Sequence, residues 1–388
     1  MDFDLNEDQL AYQDAARSFA QKALEPNAAA WDADKVFPKA VIAEAGALGF
    51  CGLYCPPEVG GLGFSRLDSS LILEQLAMGC TSTTAYISIH NMSTWMIAEF
   101  GNSATVDHFC PELVAGQKLA SYCLTEPGSG SDAASIRTTA KLSEDGEYYV
   151  VNGSKMFISG GGQTDVLVVM LKTSDTGAKG VSTLVIPADA PGVSYGKNLE
   201  KMGWHSQPTA EITFDNVKVP VQNRLGNEGD GFKIAMKGLD GGRINIATCS
   251  IGTAQAAINR SQKYMLERKQ FGQTLSEFQA LQFKLADMVT ELVAARQMVR
   301  LAAYKIDQNH PEATTYSAMA KRYATDVGFQ VCNEALQLHG GYGYMQEYPL
   351  ERYIRDNRVH QILEGTNEIM RLIISRRVLS MSDPEVIS

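Results

Sequence analysis

The spacing of apolar residues changes period twice along this chain, and that change limits the folds open to it. From residue 1 to about 118 the spacing is helical. The runs EDQLAYQDAARSFAQKAL, FPKAVIAEAGALGF, LDSSLILEQLAMG and TAYISIHNMSTWMIAEFG set apolar side chains three and four apart. A Gly/Pro-rich loop, CPPEVGGLGFS, separates the second run from the third. From about 119 to 226 the period falls to two. EYYVVNGSKMFIS predicts a hairpin turning at Asn152-Gly153, DVLVVMLKT and GVSTLVIPAD predict buried strands, and AEITFDNVKVP directs Ile212 and Phe214 inward. From about 227 to 388 helical spacing returns. Its longest run, QALQFKLADMVTELVAARQMVRLAAYKID, places Leu281, Leu285, Met288, Leu292 and Val299 on one face, the pattern of an antiparallel bundle. The fold class expected is α+β, mostly α: a helical domain over 1–118, a β domain over 119–226 and a helical bundle over 227–388.

Composition narrows the function classes. A chain of 388 residues, 45% apolar and 20% charged, can bury a large shared core and is not disordered. Its net charge of −10, with no basic stripe or arm, excludes non-specific nucleic-acid binding, although local arginines can still hold a small anion. The start, MDFDLNEDQL, has neither a signal peptide's cationic and apolar regions nor an arginine-rich presequence, and no apolar run approaches membrane-spanning length. The seven cysteines (51, 55, 80, 110, 123, 249, 332) are odd in number, scattered and without a CxxC pair. Neither structural disulfides nor zinc is expected, and a reducing cytoplasm fits, with a processed mitochondrial form as the alternative. His90, His108, His205, His310 and His360 show no metal-ligand spacing, so no metal is expected.

Five segments carry chemistry. YCLTEPGSGSD (122–132) offers backbone and hydroxyl groups to a polar ligand, or is a flexible surface loop; it has no G-x-G-x-x-G fingerprint. In SKMFISGGG (154–162), strand alternation puts Phe157 and Ser159 on one face, which suits a planar heterocycle or an ordinary half-buried strand. In GLDGGRINIATCSIGTAQAA, Asp240, Gly241 and Gly242 open a helix, and Arg243 in its first turn requires a carboxylate or an anionic ligand against the dipole. Arg268 beside Phe271 could grip a phosphate-bearing cofactor or be a packed helix end. LQLHGGYGYMQEYPLERYIRD (336–356) has glycines that admit a ligand to the backbone, with His339 a structural histidine on its own evidence. Finally, QILEGTNEIMRLIISRRVL (361–379) sets Glu364 where a loop becomes an amphipathic helix spaced by Ile369, Leu372, Ile373 and Leu379.

Together, YCLTEPGSGSD, the R-x-x-FG of 268–272, LHGGYGY and the E-G-T of 364–366 resemble the acyl-CoA dehydrogenase flavoprotein family, in the family's order and over nearly the whole chain. The resemblance implies an N-terminal helical domain, a barrel-like central β domain and a C-terminal four-helix bundle. It implies FAD between the β domain and the bundle, and a homotetramer in which a neighbouring subunit completes each FAD site. Tyr122, Leu124, Thr125, Gly130 and Ser131 match flavin-side positions, Ser131 also lying near substrate. Phe157, Ile158 and Ser159 match the strand behind the isoalloxazine ring, where many relatives have Trp and Thr for Phe157 and Ser159. Arg268, Phe271, Phe278, Gln279 and the stretch Gln337, Leu338, His339, Gly340 and Gly341 match positions holding the dinucleotide end. Thr366, Asn367 and Glu368 match a further FAD contact. Asp240, Gly241, Gly242, Arg243, Gly365 and Arg376 match substrate-side positions.

The implied reaction removes two hydrogens across the Cα–Cβ bond of an acyl thioester. Glu364 would take the α-proton, with desolvation on substrate binding expected to outweigh the helix dipole and raise its pKa. Some branches of the family place the base on the helix after an L-D element. Here that element reads Leu239-Asp240-Gly241-Gly242-Arg243, leaving Glu364 as the base at a family position. Within the family, TAYISIHNMSTWMIAEFGN, FISGGG, GWHSQPT and RVHQILEGTNEIM look nearest to the branch that oxidises isobutyryl-CoA in valine breakdown, with an electron-transferring flavoprotein as acceptor. Short straight-chain and 2-methylbutyryl thioesters are the rival substrates. An acyl-CoA oxidase and a non-catalytic flavin-binding scaffold are the rival functions.

Overall fold

A computed structural model describes residues 4–381. The outermost ends of the first and third blocks therefore lie outside the described residues. The N-terminal block holds α1 (Glu7–Phe19), α2 (Ala28–Asp34), α3 (Lys39–Ala47), α4 (Arg66–Gly79), α5 (Thr81–Phe100) and α6 (Ser103–Val114). Asn6 and Gln9 form a reciprocal capping box that starts α1. The run read as one helix to Leu24 widens into a π turn over Ala20–Leu24. Helix α5 is buried along nearly its whole length, between the other helices and the sheet, and it buries polar side chains such as His90 and Asn91, which hydrogen-bond to neighbouring backbone.

The β block is β1 (Ala120–Cys123), β2 (Thr139–Leu142), β3 (Tyr148–Ser159), β4 (Val166–Lys172), β5 (Val181–Pro187), β6 (Val193–Tyr195), β7 (Thr209–Pro220) and β8 (Arg224–Leu225). They form one mixed sheet in the order β6-β7-β3-β2-β4-β5-β8, with β1 added parallel to β4. The barrel-like expectation is corrected here: β6 and β8 end the sheet without pairing to each other, so it stays open. The hairpin expectation is corrected too. Asn152-Gly153 is a bulge inside a continuous β3, where the register against β7 breaks between Val151 and Gly153. Glycine is required there because φ is 143° and a Cβ would lie 2.6 Å from Thr138 Oγ1. The turn into β3 lies earlier, at 143–147, where Asp145 Oδ1 accepts from the Ser143 hydroxyl and the Glu147 N–H.

The C-terminal block holds α7 (Gly231–Glu267), α8 (Gln279–Asp307), α9 (Ala313–His339), α10 (Leu350–Arg358) and α11 (Asn367–Leu379). Helix α8 has the predicted bounds and buries Met288, Leu292 and Val299, while Leu281 and Leu285 are half-buried. The longest helix is α7, at 37 residues. Asp240, Gly241 and Gly242 therefore do not open a helix, and Arg243 is not in a first turn; all four lie in the interior of α7. Close packing on several sides overrides the weak helix propensity of the glycine pair. No helix among the described residues is long and apolar enough to cross a membrane.

Candidate active site

Four elements meet at Glu364: α7, α9, β1 and the turn 363–366 that leads into α11. The turn is built from two consecutive residues in the left-handed region, Glu364 (φ 55°) and Gly365 (φ 89°). Thr366 then caps α11, its hydroxyl accepting the Ile369 N–H at 3.3 Å. The carboxylate of Glu364 rests against the backbone of α7 at Gly242, where a Cβ would lie 2.0 Å from Oε2. That oxygen is buried and has no hydrogen-bond partner. A buried acceptor left unpaired is costly in a folding sense, so its presence points to chemistry.

Two cations flank the turn, and each donates one hydrogen bond to its backbone. Arg243 Nε donates to the Glu364 carbonyl at 3.3 Å, and Lys321 Nζ donates to the Gly365 carbonyl at 2.7 Å. The second arm of Arg243 pairs with Asp240 Oδ1 at 2.7 Å, and Asp240 Oδ2 accepts from Thr314 at 2.6 Å. The compensation required for Arg243 is thus a carboxylate of its own helix. Burial pushes the Glu364 carboxyl up to about 7, against the pull of Arg243 and Lys321. The folded chain itself supplies this desolvation, whereas the expectation placed it at substrate binding. Burial draws Lys321 down to about 7, while Glu364 works the other way. The wall beside the carboxylate is apolar: Ala85, Ile89, Trp204, Ile246, Cys249, Tyr122 and Leu363 pack together.

The remaining expected residues fall into three groups. Tyr122 is half-buried against this wall, its hydroxyl donating to the Ala235 carbonyl at 3.4 Å, and desolvation raises its pKa with Glu364 adding to the effect. Leu124 is buried, Thr125 accepts the Met156 N–H through its carbonyl at 2.8 Å, and Gly130 and Ser131 are exposed. Phe157 is exposed and Ser159 half-buried on either side of the buried Ile158, but the strand before them is irregular. A second bulge between Lys155 and Ile158, with Phe157 at φ 60°, turns the Phe157 ring outward (62% exposed) and Ile158 inward. Around the helix ends, Arg268 lies over the Tyr342 ring at 5.4 Å, Phe271 is 94% exposed and contacts Phe278 edge-on, and Gln279, Gln337, Gly340 and Gly341 are exposed. Leu338 and His339 are buried; His339 bonds the Ala335 carbonyl of its own helix and stacks on Tyr264. Glu368 is exposed, and Arg376 is exposed on the last turn of α11, about 15 Å along the helix from its start.

Two lysines escaped the sequence reading. Lys321 is fully buried and also donates to Asn367 Oδ1 at 2.9 Å. Lys155 is fully buried and binds Glu126 at 2.8 Å and the Leu124 carbonyl at 3.0 Å, behind the 122–132 loop. Each lies at a buried position of its element's own period. Lys321 shares the α9 stripe of Ser317, Ala324, Thr325 and Gly328, and Lys155 shares the inward side of β3 with Tyr149 and Val151.

The residues present fit a large planar cofactor. Phe157 and Phe271 present exposed rings, and no atom approaches the missing Cβ of Gly128, Gly130, Gly272, Gly340 or Gly341 within 4 Å, so backbone is open along the expected path. Known proteins agree with that fit. Family models for the acyl-CoA dehydrogenase N-terminal, middle and C-terminal domains match residues 6–117, 121–217 and 229–379. Isobutyryl-CoA dehydrogenase, mitochondrial, of Bos taurus is 52% identical over 375 residues, 97% of this chain and 90% of that protein. Among solved structures, butyryl-CoA dehydrogenase of Megasphaera elsdenii superposes with a TM-score of 0.94 at 40% identity, over 98% of this chain and 100% of that one. A chain from a structural study of the electron transferring flavoprotein of Acidaminococcus fermentans gives 0.95 at 40% identity, over the same shares. The chain belongs to the acyl-CoA dehydrogenase family, whose members are FAD-dependent oxidoreductases.

Proposed function

We propose that this protein dehydrogenates a short branched-chain acyl-CoA, isobutyryl-CoA to methacrylyl-CoA, with Glu364 as the base. The observation that carries the base assignment is the buried, unpartnered Glu364 Oε2 held against Gly242. Its carboxylate is a stronger base than a solvated one, and no cation quenches it through a direct hydrogen bond. When bound, FAD supplies a hydride acceptor for Cβ. Phe157, Ser159, Thr125 and Tyr122 would hold its ring end, and Arg268, Phe271 and the 337–341 stretch its dinucleotide end. Glu364 takes the α-proton on Oε2, and the apolar wall of Ile89, Trp204, Ile246 and Leu363 excludes water from that proton transfer. Asp240, Gly241, Arg243, Gly365, Ser131 and Arg376 are proposed substrate-side contacts.

The bovine relative's activity supports isobutyryl-CoA as substrate, and the Acidaminococcus structure supports an electron-transferring flavoprotein as acceptor. Apolar side chains exposed along α8 (Phe283, Val289, Val293 and Leu301) support a homotetramer. We take the domains as 1–118, 119–226 and 227–388. The test is anaerobic flavin bleaching with isobutyryl-, butyryl-, 2-methylbutyryl- and isovaleryl-CoA. Isobutyryl-CoA is expected to reduce the flavin fastest. Equal or slower bleaching by it would remove the branched-chain assignment.

A further inference from the structure

The turn that carries Glu364 needs an explanation beyond its own sequence. Glycine adopts φ 89° freely, but a glutamate at φ 55° is in a disfavoured conformation that its surroundings must hold. Those surroundings are one turn of α9. Asn367, at the start of α11, is buried and fully engaged: Nδ2 donates to Thr325 Oγ1 at 2.9 Å and Asp326 Oδ1 at 2.8 Å, and Oδ1 accepts from Lys321 Nζ at 2.9 Å. The same ammonium reaches the Gly365 carbonyl at 2.7 Å, so Lys321 ties the residue after Glu364 to the first residue of α11. Lys321 has no ion pair with a carboxylate among the described residues, although Glu364 lies within its field. A buried ammonium spent on a backbone carbonyl and an amide is an unusual use of charge. It is explained if its task is to hold a carboxylate in place without binding it.

We propose that Lys321 is a positioning residue for the base: by clamping Gly365 O and Asn367 Oδ1, it holds the left-handed turn that aims the Glu364 carboxylate at Gly242 and leaves Oε2 free. This rests on the reading of Glu364 as the base. The charge acts alongside the clamp. The groups facing Glu364 are Arg243 and Cys249 of α7, Lys321 of α9 and Tyr122 of β1; Asp326 and Glu368 in turn face Lys321. While it is protonated, Lys321 favours ionised Glu364, and burial draws its own titration down to about 7, so its removal raises the pH at which the base begins to ionise.

The test compares the FAD-loaded wild type with Lys321→Met and Lys321→Gln, following anaerobic bleaching by whichever of the four acyl-CoAs bleaches the wild type best. Lys321→Met is expected to bind FAD and substrate normally and to bleach about 10–100-fold more slowly, as for a base displaced by about 1 Å. It should show a larger isotope effect with α-deuterated substrate and an acid limb moved to higher pH. Lys321→Gln keeps a donor without the charge, so it should recover most of the rate at high pH and keep the displaced limb. An FAD-loaded Lys321→Met with the wild-type rate and limb overturns the proposal. If that variant does not load FAD, an unmoved limb in Lys321→Gln overturns it. A crystal structure of either variant decides the clamp without turnover: Glu364 leaving the left-handed region supports it, and an unchanged turn overturns it. A wild type bleached by no acyl-CoA would count against the proposed function and leave this structural arm to decide the clamp.

Discussion

At Gly242 a single methyl group separates a working site from a blocked one. An alanine Cβ would sit 2.0 Å from Glu364 Oε2, so the carboxylate would have to turn away. Gly242→Ala is expected to keep FAD and lose kcat on the order of 10²-fold, the cost of a misplacement of about 1 Å, in steady-state assays. Glu364→Gln keeps the shape and removes the basicity; turnover should fall by about 10²–10⁴-fold with FAD retained. Full activity in that variant would take Glu364 out of the reaction. Because the base must be ionised and burial holds its carboxyl at about 7, kcat/KM should rise with pH through that value. Stability runs the other way. A carboxyl raised above its unfolded value of 4.5 contributes fully below that pH and loses its contribution as pH rises through about 7. The apoprotein of Glu364→Gln should therefore gain stability over wild type at pH 8, and the gain should shrink towards pH 4.5, as read by urea unfolding. The spacing of E-G-T-N before an amphipathic run made Glu364 legible. Gly242 was legible only as an absent acid, because its role is a close approach from a residue 122 positions away.

Among the elements, β3 shows what pattern reading catches and what it misses. Its alternation is visible, but both bulges are not, since each depends on β7 alongside it. The first was read as a turn because Asn-Gly is the strongest short-range hairpin signal. The second puts Phe157 at φ 60° and turns its ring outward. Between them lies Lys155, whose ammonium holds the Glu126 carboxylate, itself bonded to the N–H groups of Arg137 and Thr138. Burial alone would raise Glu126, but Lys155 and these donors hold it below its ordinary value. Lys155→Met leaves that carboxylate buried and unpaired, so it should cost about 3–5 kcal/mol of stability in denaturant unfolding. Adding Glu126→Gln should recover part of the loss. Helix α7 carries the opposite lesson. Its Gly-Gly pair resembles a boundary when read locally, and only packing against α4, α5 and α9 keeps it helical.

For the whole molecule, the exposed rings and aliphatic side chains of α8 and the 271–278 segment predict that the chain does not act alone. Light scattering of the FAD-loaded protein should give a mass of about four 42.2 kDa chains, and a monomer at micromolar concentration would refute the tetramer. The order of helix block, β block and helix block was determined by the sequence itself, because apolar period is a local property that each segment carries alone. So was the choice of Glu364 as the candidate base, since the family's motifs are contiguous runs. Tertiary structure decided the rest: that the sheet stays open, that α7 runs unbroken past two glycines, and that two buried lysines hold the site from behind. A lysine's role depends on what surrounds its ammonium, and residues distant in sequence supply those surroundings. The proposed role of Glu364 has the same cause, because α7 and α9 enclose a carboxylate oxygen, Oε2, that neither one binds.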